Sequence, residues 1–238
     1  MENIEKLQEI KAIERNEVLK DFFGGKDSGC MSEEVIKNLI EYETLMVKYR
    51  CAIREVKTKL EVLNEELSLF AQKNPIENIQ SRVKRPYSIA RKLRRMNLPL
   101  TVDAIQPNLS DVAGIRVICP FINDVYEVAH MFLKQDDVKL IQIKDYIEHP
   151  KENGYRSLHL IIEIPVFFSS GKENIRVEIQ IRTVAMDFWA SLEHQIRYKN
   201  ESSVMDEVRN ELKECADTIA QADRKMQRLK NKVNPLSM

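Results

Sequence analysis

The chain has no long apolar run, only 6 glycines and a single tryptophan in 238 residues, and no net charge, since 37 basic side chains balance 37 acidic ones. A bilayer-spanning helix needs about 20 consecutive apolar residues, and no such stretch exists. The opening Met1-Glu2-Asn3-Ile4-Glu5-Lys6 does not resemble a secretion signal either, so a cytoplasmic protein without membrane contact is expected. Cysteine is scarce. Cys30, Cys51, Cys119 and Cys215 lie far apart with no Cys-x-x-Cys pair, which argues for reduced thiols. His130 and His194 have no ligand spacing to each other or to the cysteines, so no zinc site is expected. Zero net charge favours no class of partner. Any such signal has to come from charge clustering.

The 43% hydrophobic content is enough for one good-sized core, and 31% charged residues imply much solvated helix surface. Residues 1–20 read as a short charged helix, broken by the Gly24–Gly29 stretch. From Ser32 the apolar residues Leu39, Tyr42, Met46, Tyr49, Ile53, Val56, Leu60, Leu63, Leu67 and Phe70 step by threes and fours, the repeat of a helix lying along a partner helix. Pro75 ends it. Near the other end Met205, Val208, Leu212, Cys215, Ile219, Ala222, Met226 and Leu229 repeat that spacing. The two stripes are expected to serve both packing within the chain and an oligomer contact. These signals divide the chain into an N-terminal helical region (1–74), a mixed core (75–200) and a C-terminal helix (201–238).

Within the core, strands are expected at Ile79–Arg85, Gly114–Phe121, Val138–Ile147 and Tyr155–Phe168. Helices are expected at Tyr87–Met96, Asn123–Leu133 and Val184–Tyr198, the last facing inward with Ala185, Phe188, Trp189, Leu192 and Ile196. The clearest strand is 174–183. Ile175, Val177, Ile179 and Ile181 alternate with Arg176, Glu178, Gln180 and Arg182. A half-exposed strand with a solvated polar face would show the same alternation. The strand-like flanks favour a central position, where charges need partners or a ligand. About five strands with helices between and around them make an α/β (α+β) core with long helical ends.

Three clusters carry chemistry. Residues 82–95 hold Arg82, Lys84, Arg85, Arg91, Lys92, Arg94 and Arg95 with no acid among them. Such density invites an anion, and Ser88 near a helix start adds a hydroxyl. Charge alone fits nucleic acid and a nucleoside triphosphate equally. Asp111 precedes a strand that contains Gly114 and Arg116. With Glu178 on another strand, it supplies the two carboxylates that Mg²⁺-assisted phosphoryl transfer needs. Asn153-Gly154-Tyr155-Arg156-Ser157-Leu158-His159, just after Lys151, joins a turn to a strand on which Tyr155, Ser157 and His159 share a face, and suits base stacking beside phosphate contacts.

Together, Arg82-x-Lys84-x-x-x-Ser88-Ile89-x-x-Lys92-x-x-Arg95, Asp111-x-x-Gly114-x-Arg116, the Asn153–His159 run and Glu178-Ile179-Gln180-x-Arg182 resemble the synthetase domain of the RelA/SpoT family. The short length resembles the stand-alone small alarmone synthetases of the RelQ type. The resemblance implies a nucleotidyltransferase-like mixed β-sheet flanked by helices. It also implies transfer of pyrophosphate from ATP to the ribose 3′-hydroxyl of GDP or GTP, and by extension GMP, with Mg²⁺ as cofactor. By position it places Arg82, Lys84, Ser88, Lys92 and Arg95 on ATP, and Asp111 and Glu178 on the metal. Glu178 would assist deprotonation of the acceptor, with Gln180, Arg182 and Arg116 supporting the reaction. Tyr155 would stack on guanine, with Lys151, Asn153, His159, Arg182 and Asp187 near the acceptor. A homotetramer is implied too. The chain departs from the RelQ pattern at Asn78, where members often carry an aromatic linked to activation by pppGpp.

Two rival readings stay open at this stage. One is a single-stranded RNA-binding regulator with weak or lost catalysis. The other is a toxic relative that modifies tRNA or makes adenosine alarmones. Synthesis without hydrolysis is expected. The chain has no His-Asp dipeptide, around which the family's hydrolase domain is built, and only about 75 residues precede the match.

Overall fold

The computed structural model describes residues 33–70, 74–199 and 205–233. The expected helix over residues 1–20 and the Gly24–Gly29 break lie outside them. The first described element is α1 (Glu33–Phe70), followed by β1 (Asn78–Val83), α2 (Pro86–Arg95), a 3₁₀ turn at Val102–Ala104 and the short α3 (Ile105–Asn108). Next come β2 (Ala113–Cys119), α4 (Ile122–Leu133), β3 (Lys139–Asp145), β4 (Leu158–Phe168), β5 (Gly171–Thr183), α5 (Val184–Lys199) and α6 (Met205–Val233). The strands form one mixed sheet in the order β1-β2-β5-β4-β3. The β2–β5 pair is parallel and the other pairs are antiparallel. The expected five-stranded α+β fold is therefore the one found. Among the described residues, no helix is long and apolar enough to cross a membrane.

Strand β5 is central, as its strand-like flanks led us to expect. Ile175, Val177, Ile179 and Ile181 are all buried on one face, in register with Ile115 and Val117 of β2 and Leu158, Leu160, Ile162 and Ile164 of β4. Helix α1 covers that face with Leu39, Tyr42, Met46, Tyr49, Ile53, Val56 and Leu60, all buried. Its apolar repeat therefore meets the sheet and α4, not a parallel partner helix. Long straight stripes fit a twisted sheet as well as a helix, and spacing alone does not separate the two.

Two stripes read from sequence are corrected. On α5, Met186 and Trp189 are buried, whereas Phe188, Leu192 and Ile196 are exposed. On α6 the buried face is Ala216, Ala220, Asp223 and Gln227, while Met226, Leu229 and Cys215 point outward. Polar groups satisfied across the seam explain the second error. Gln227 Oε1 accepts the Asn123 backbone N–H at 2.9 Å, answering one of the orphan donors at the start of α4. Lys230 Nζ reaches the buried Asp124 carboxylate at 2.8 and 3.0 Å. Thr183 Oγ1 caps α5 by accepting the Met186 N–H at 3.1 Å, and donates to Asp223 Oδ2 at 2.5 Å.

Burial pushes the Asp223 carboxyl above its ordinary value, despite the Thr183 hydrogen bond and the Arg224 charge. Its contribution to stability is then fully present below the unfolded carboxyl pKa and is lost as pH rises through the raised folded value. Asp223→Asn keeps an acceptor for Thr183 and removes that loss. Melting temperatures of the two proteins should therefore diverge in favour of the variant as pH rises from the ordinary carboxyl range, about 4, through the raised folded value. A gap that closes with rising pH would contradict this account.

Candidate active site

The polar face of the sheet holds the site, and strand register builds it in two rows. Arg82 of β1, Gly114 of β2 and Glu178 of β5 pair in one row. Gln80, Arg116, Gln180, His159 and Lys144 pair across all five strands in the next. Gly114 has no side chain between Arg82 and Glu178, so the floor stays open. A cavity of about 280 Å³ sits there, lined by Arg82, Asp111, Gly114, Arg116, Glu178 and Gln180 among others.

Asp111 lies just before β2 and is clasped by two lysines, Lys84 Nζ at 2.5 Å and Lys92 Nζ at 2.8 Å. Burial alone would raise its carboxyl, but the hydrogen bonds and charges of both lysines outweigh that and hold it below the ordinary range. Lys84 follows β1, and Lys92 lies two turns into α2, which starts on Pro86. Ser88 is half-buried in the first turn of α2, and Arg82 and Arg95 are exposed. One local strand–helix unit thus presents the whole basic cluster.

Glu178 is likewise ionised against its burial. His159 Nδ1 lies 3.3 Å from its carboxylate and Gln180 Nε2 donates to it at 2.8 Å, which lowers the carboxyl below its usual value. The Asp111 charge works the other way, so the two carboxylates feel each other.

Arg182 is only 1% exposed, the largest fully buried side chain among the described residues. Its guanidinium donates to the Tyr155 hydroxyl at 2.9 Å, to Gln180 Oε1, and to Asp187 Oδ1 at 3.4 Å. Arg116 meets the same Asp187 oxygen at 3.2 Å. Asp187, in the first turn of α5, is thus the shared counter-ion of two site arginines.

Tyr155 precedes β4 instead of starting it. Asn153 Oδ1 accepts the Tyr155 N–H at 3.2 Å and Gly154 takes φ +86°, so the ladder begins only at Leu158. The expected shared face of Tyr155, Ser157 and His159 is therefore incomplete. Ser157 is buried and donates to the Ile181 carbonyl of β5 at 3.2 Å. Tyr155 and His159 do meet, with Oη 2.8 Å from Nε2. Lys151 Nζ lies 4.6 Å from the Tyr146 ring centre and 4.8 Å from that of Tyr155. Burial lowers its pKa, partly offset by the Glu178 charge. Asn153 Nδ2 donates to Glu193 of α5 at 3.2 Å, and an open depression runs beside Lys151, Asn153, Tyr155 and Glu193.

Of the fifteen residues singled out in the sequence, strand register, ion pairs and hydrogen bonds join Arg82, Lys84, Lys92, Asp111, Arg116, Tyr155, His159, Glu178, Gln180, Arg182 and Asp187. Lys151 and Asn153 lie on the adjoining depression, whereas Ser88 and Arg95 are placed only as neighbours of Lys92 on α2. Sequence reasoning missed Tyr146 and Glu193. Tyr146 sits at the end of an edge strand with no pattern around it. Glu193 follows Asp187 by six residues, a spacing that only the helix geometry of α5 turns into a neighbour of the Asn153 loop.

A family profile described as the region found in RelA/SpoT proteins matches residues 81–203. The chain belongs to the RelA/SpoT family. Its relatives include GTP pyrophosphokinase YwaC of Bacillus subtilis, 42% identical over 200 residues that cover 84% of this chain and 95% of that protein. The crystal structure of small alarmone synthetase 1 from Bacillus subtilis bound to its product pppGpp matches with a TM-score of 0.75 and 35% identity, covering 81% of this chain and 98% of that one. The same synthetase bound to AMPCPP gives a TM-score of 0.71 and 33% identity, covering 82% and 98%.

Proposed function

We infer that this protein is a (p)ppGpp synthetase that moves pyrophosphate from ATP to the 3′-hydroxyl of GDP or GTP. The observation that carries this reading is the pair of ionised carboxylates, Asp111 and Glu178, on one cavity lined by Arg82 and Arg116, with Lys84 and Lys92 paired to Asp111. The pair also favours an enzyme over an RNA-binding regulator, because acids facing phosphates weaken nucleic-acid binding. The acceptor oxygen forms a bond to the β-phosphorus of ATP as the α–β bridge breaks and AMP leaves. Charge then builds on the β-phosphate and on the leaving group, where basic side chains stabilise it most.

In this reading Arg82, Lys84, Ser88, Lys92 and Arg95 hold the ATP phosphates, and Glu178 takes the proton from the 3′-hydroxyl. His159 and Gln180 orient that carboxylate, and Arg182 fixes Gln180. Arg116, which lines the cavity, has an Nε without a protein acceptor among the described residues, a donor that a small rotation of the side chain would turn toward an anionic ligand. Two hard carboxylates on one cavity suit Mg²⁺, which binds through one or two carboxylates plus substrate phosphates. Asp111 and Glu178 would hold it. When bound, such an ion adds positive charge at the reacting phosphates and lowers the pKa of the acceptor hydroxyl. Tyr155 stacks on guanine, while Lys151, Asn153 and His159 line the acceptor side.

Glu178→Gln keeps the shape and the apolar face of β5 but removes the base. kcat should fall by about two or more orders of magnitude, with the fold and ATP binding retained. Turnover measured beside ATP binding and thermal melting checks this, and near-normal turnover would refute the assignment. Tyr155→Ala should raise the acceptor KM about tenfold while the ATP KM changes little, the scale of a lost base–aromatic stack. Tyr155→Phe keeps the ring and should keep most acceptor affinity. Equal effects of Tyr155→Ala on both substrates would make the tyrosine a packing residue.

We also propose a homotetramer. The α1 stripe is used within the chain, so the contact falls to outward residues such as Met226, Leu229 and Val233 of α6 and Ile40, Val62 and Leu69 of α1. Light scattering at micromolar concentration should report the mass of about four chains, and monomer alone would end this proposal.

A further inference from the structure

Arg156 has no role in the site just described, yet it is one of the most thoroughly engaged arginines of the protein. Its Nη1 donates to the Gly154 carbonyl at 2.9 Å and to the Ala216 carbonyl of α6 at 3.3 Å. Its Nη2 pairs with Asp217 of α6 at 2.9 Å. Ala216 lies inside a 29-residue helix, so its carbonyl receives a donor from outside the helix. One turn earlier, the Leu212 carbonyl receives Trp189 Nε1 at 2.8 Å. Two side-chain donors thus grip carbonyls four residues apart on one edge of α6.

Gly154 lies against that edge. A Cβ added to it would stand 2.5 Å from the Ala216 Cβ, closer than real Cβ contacts come. The seam among Gly154, Arg156, Met186, Trp189, Ala216 and Ala220 leaves a void of only about 10 Å³. The loop itself is closed by Gly154 N–H to the Lys151 carbonyl at 2.8 Å and Lys151 N–H to the Tyr155 carbonyl at 3.2 Å. A displacement of Gly154 or Arg156 is therefore passed directly to Lys151, Asn153 and Tyr155. The donor-side residues 82–95 lie on β1, α2 and the link between them, and β1 is an edge strand of the sheet that pairs with β2.

We propose that α6 is the platform of the acceptor loop, and that Arg156, seated on Ala216 and Asp217, is the residue that positions the loop for the guanine nucleotide. Arg156 acts through Tyr155, Asn153 and Lys151 and does not touch the reacting atoms. This rests on the acceptor assignment made above. Because the fork to two carbonyls and a carboxylate needs a planar guanidinium, Arg156→Lys restores the charge pair with Asp217 but not the full grip.

Steady-state kinetics together with direct binding of GDP and of a non-hydrolysable ATP analogue test the proposal. Arg156→Ala should raise the GDP KM and the GDP dissociation constant about tenfold, the scale of a lost charged hydrogen bond. The ATP KM and kcat at saturating GDP should stay within about twofold, and Arg156→Lys should fall between the variant and wild type. If Arg156→Ala does not fold, Asp217→Arg reads the same split at a half-exposed position, with a smaller GDP effect of about threefold. A folded variant with unchanged GDP KM, or with both KM values raised equally, overturns the proposal while the synthetase reading stands. Wild-type protein that neither binds GDP nor makes product from it overturns both.

Discussion

Burying Arg182 is the constraint on which the site depends. A guanidinium in the middle of a sheet is costly unless every neighbour answers it. Tyr155 comes from the loop before β4, Gln180 from β5 itself and Asp187 from α5, and each supplies an oxygen. The same three contacts fix other groups in turn. Tyr155 is tied to His159, Gln180 to Glu178 and Asp187 to Arg116. One desolvated cation thereby aligns the carboxylate, the aromatic and the second arginine. Burial draws the Arg182 pKa down, with the Arg116 charge adding to the effect, and the electrostatic pull of Asp187 and Glu178 works against it.

The apolar side of the same strand makes this possible. Ile175, Val177, Ile179 and Ile181 anchor β5 between β2 and β4 under α1, so the core beneath the strand is built without its polar face. Function and folding are separated by the two-residue period of the strand. Even-numbered positions are free for chemistry because odd-numbered ones hold the core.

That period is also why β5 was legible in the sequence, while its central place could be expected only from the strand-like segments on either side of it. The basic run 82–95 and the two acids were readable because like charges crowd together or because a carboxylate stands where a strand begins. The motif resemblance gathered residues that no spacing connects. What could not be read were features made by tertiary contact. The inner face of α6 looks polar in sequence because Asp223 and Gln227 are buried by pairing with Thr183 and with the start of α4. Apolar spacing therefore picked the outward stripe of Met226 and Leu229. Tyr155 read as the first residue of a strand because its neighbours are strand formers, while an Asn153 side-chain bond and a positive φ at Gly154 decide otherwise.

In the proposed assignment, the donor and acceptor sides are built on different physical terms. The donor side is local. Arg82 through Arg95 span one strand and one helix, and Asp111 balances two of those lysines at 2.5 and 2.8 Å. Such a unit is ordered by short-range contacts and by the β1–β2 ladder. The acceptor side is assembled from residues 146–159, α5 and α6, segments that meet only when the whole chain is folded. Loop closure over such separations costs entropy before any contact offsets it. Given the role proposed for Arg156, the acceptor side responds more strongly to distant packing, through the helices that carry its loop. Substitutions of equal local severity then act unequally. On that assignment, those in the strand–helix unit stay confined to phosphate contacts, whereas those in the α5–α6 seam shift the loop that carries Tyr155.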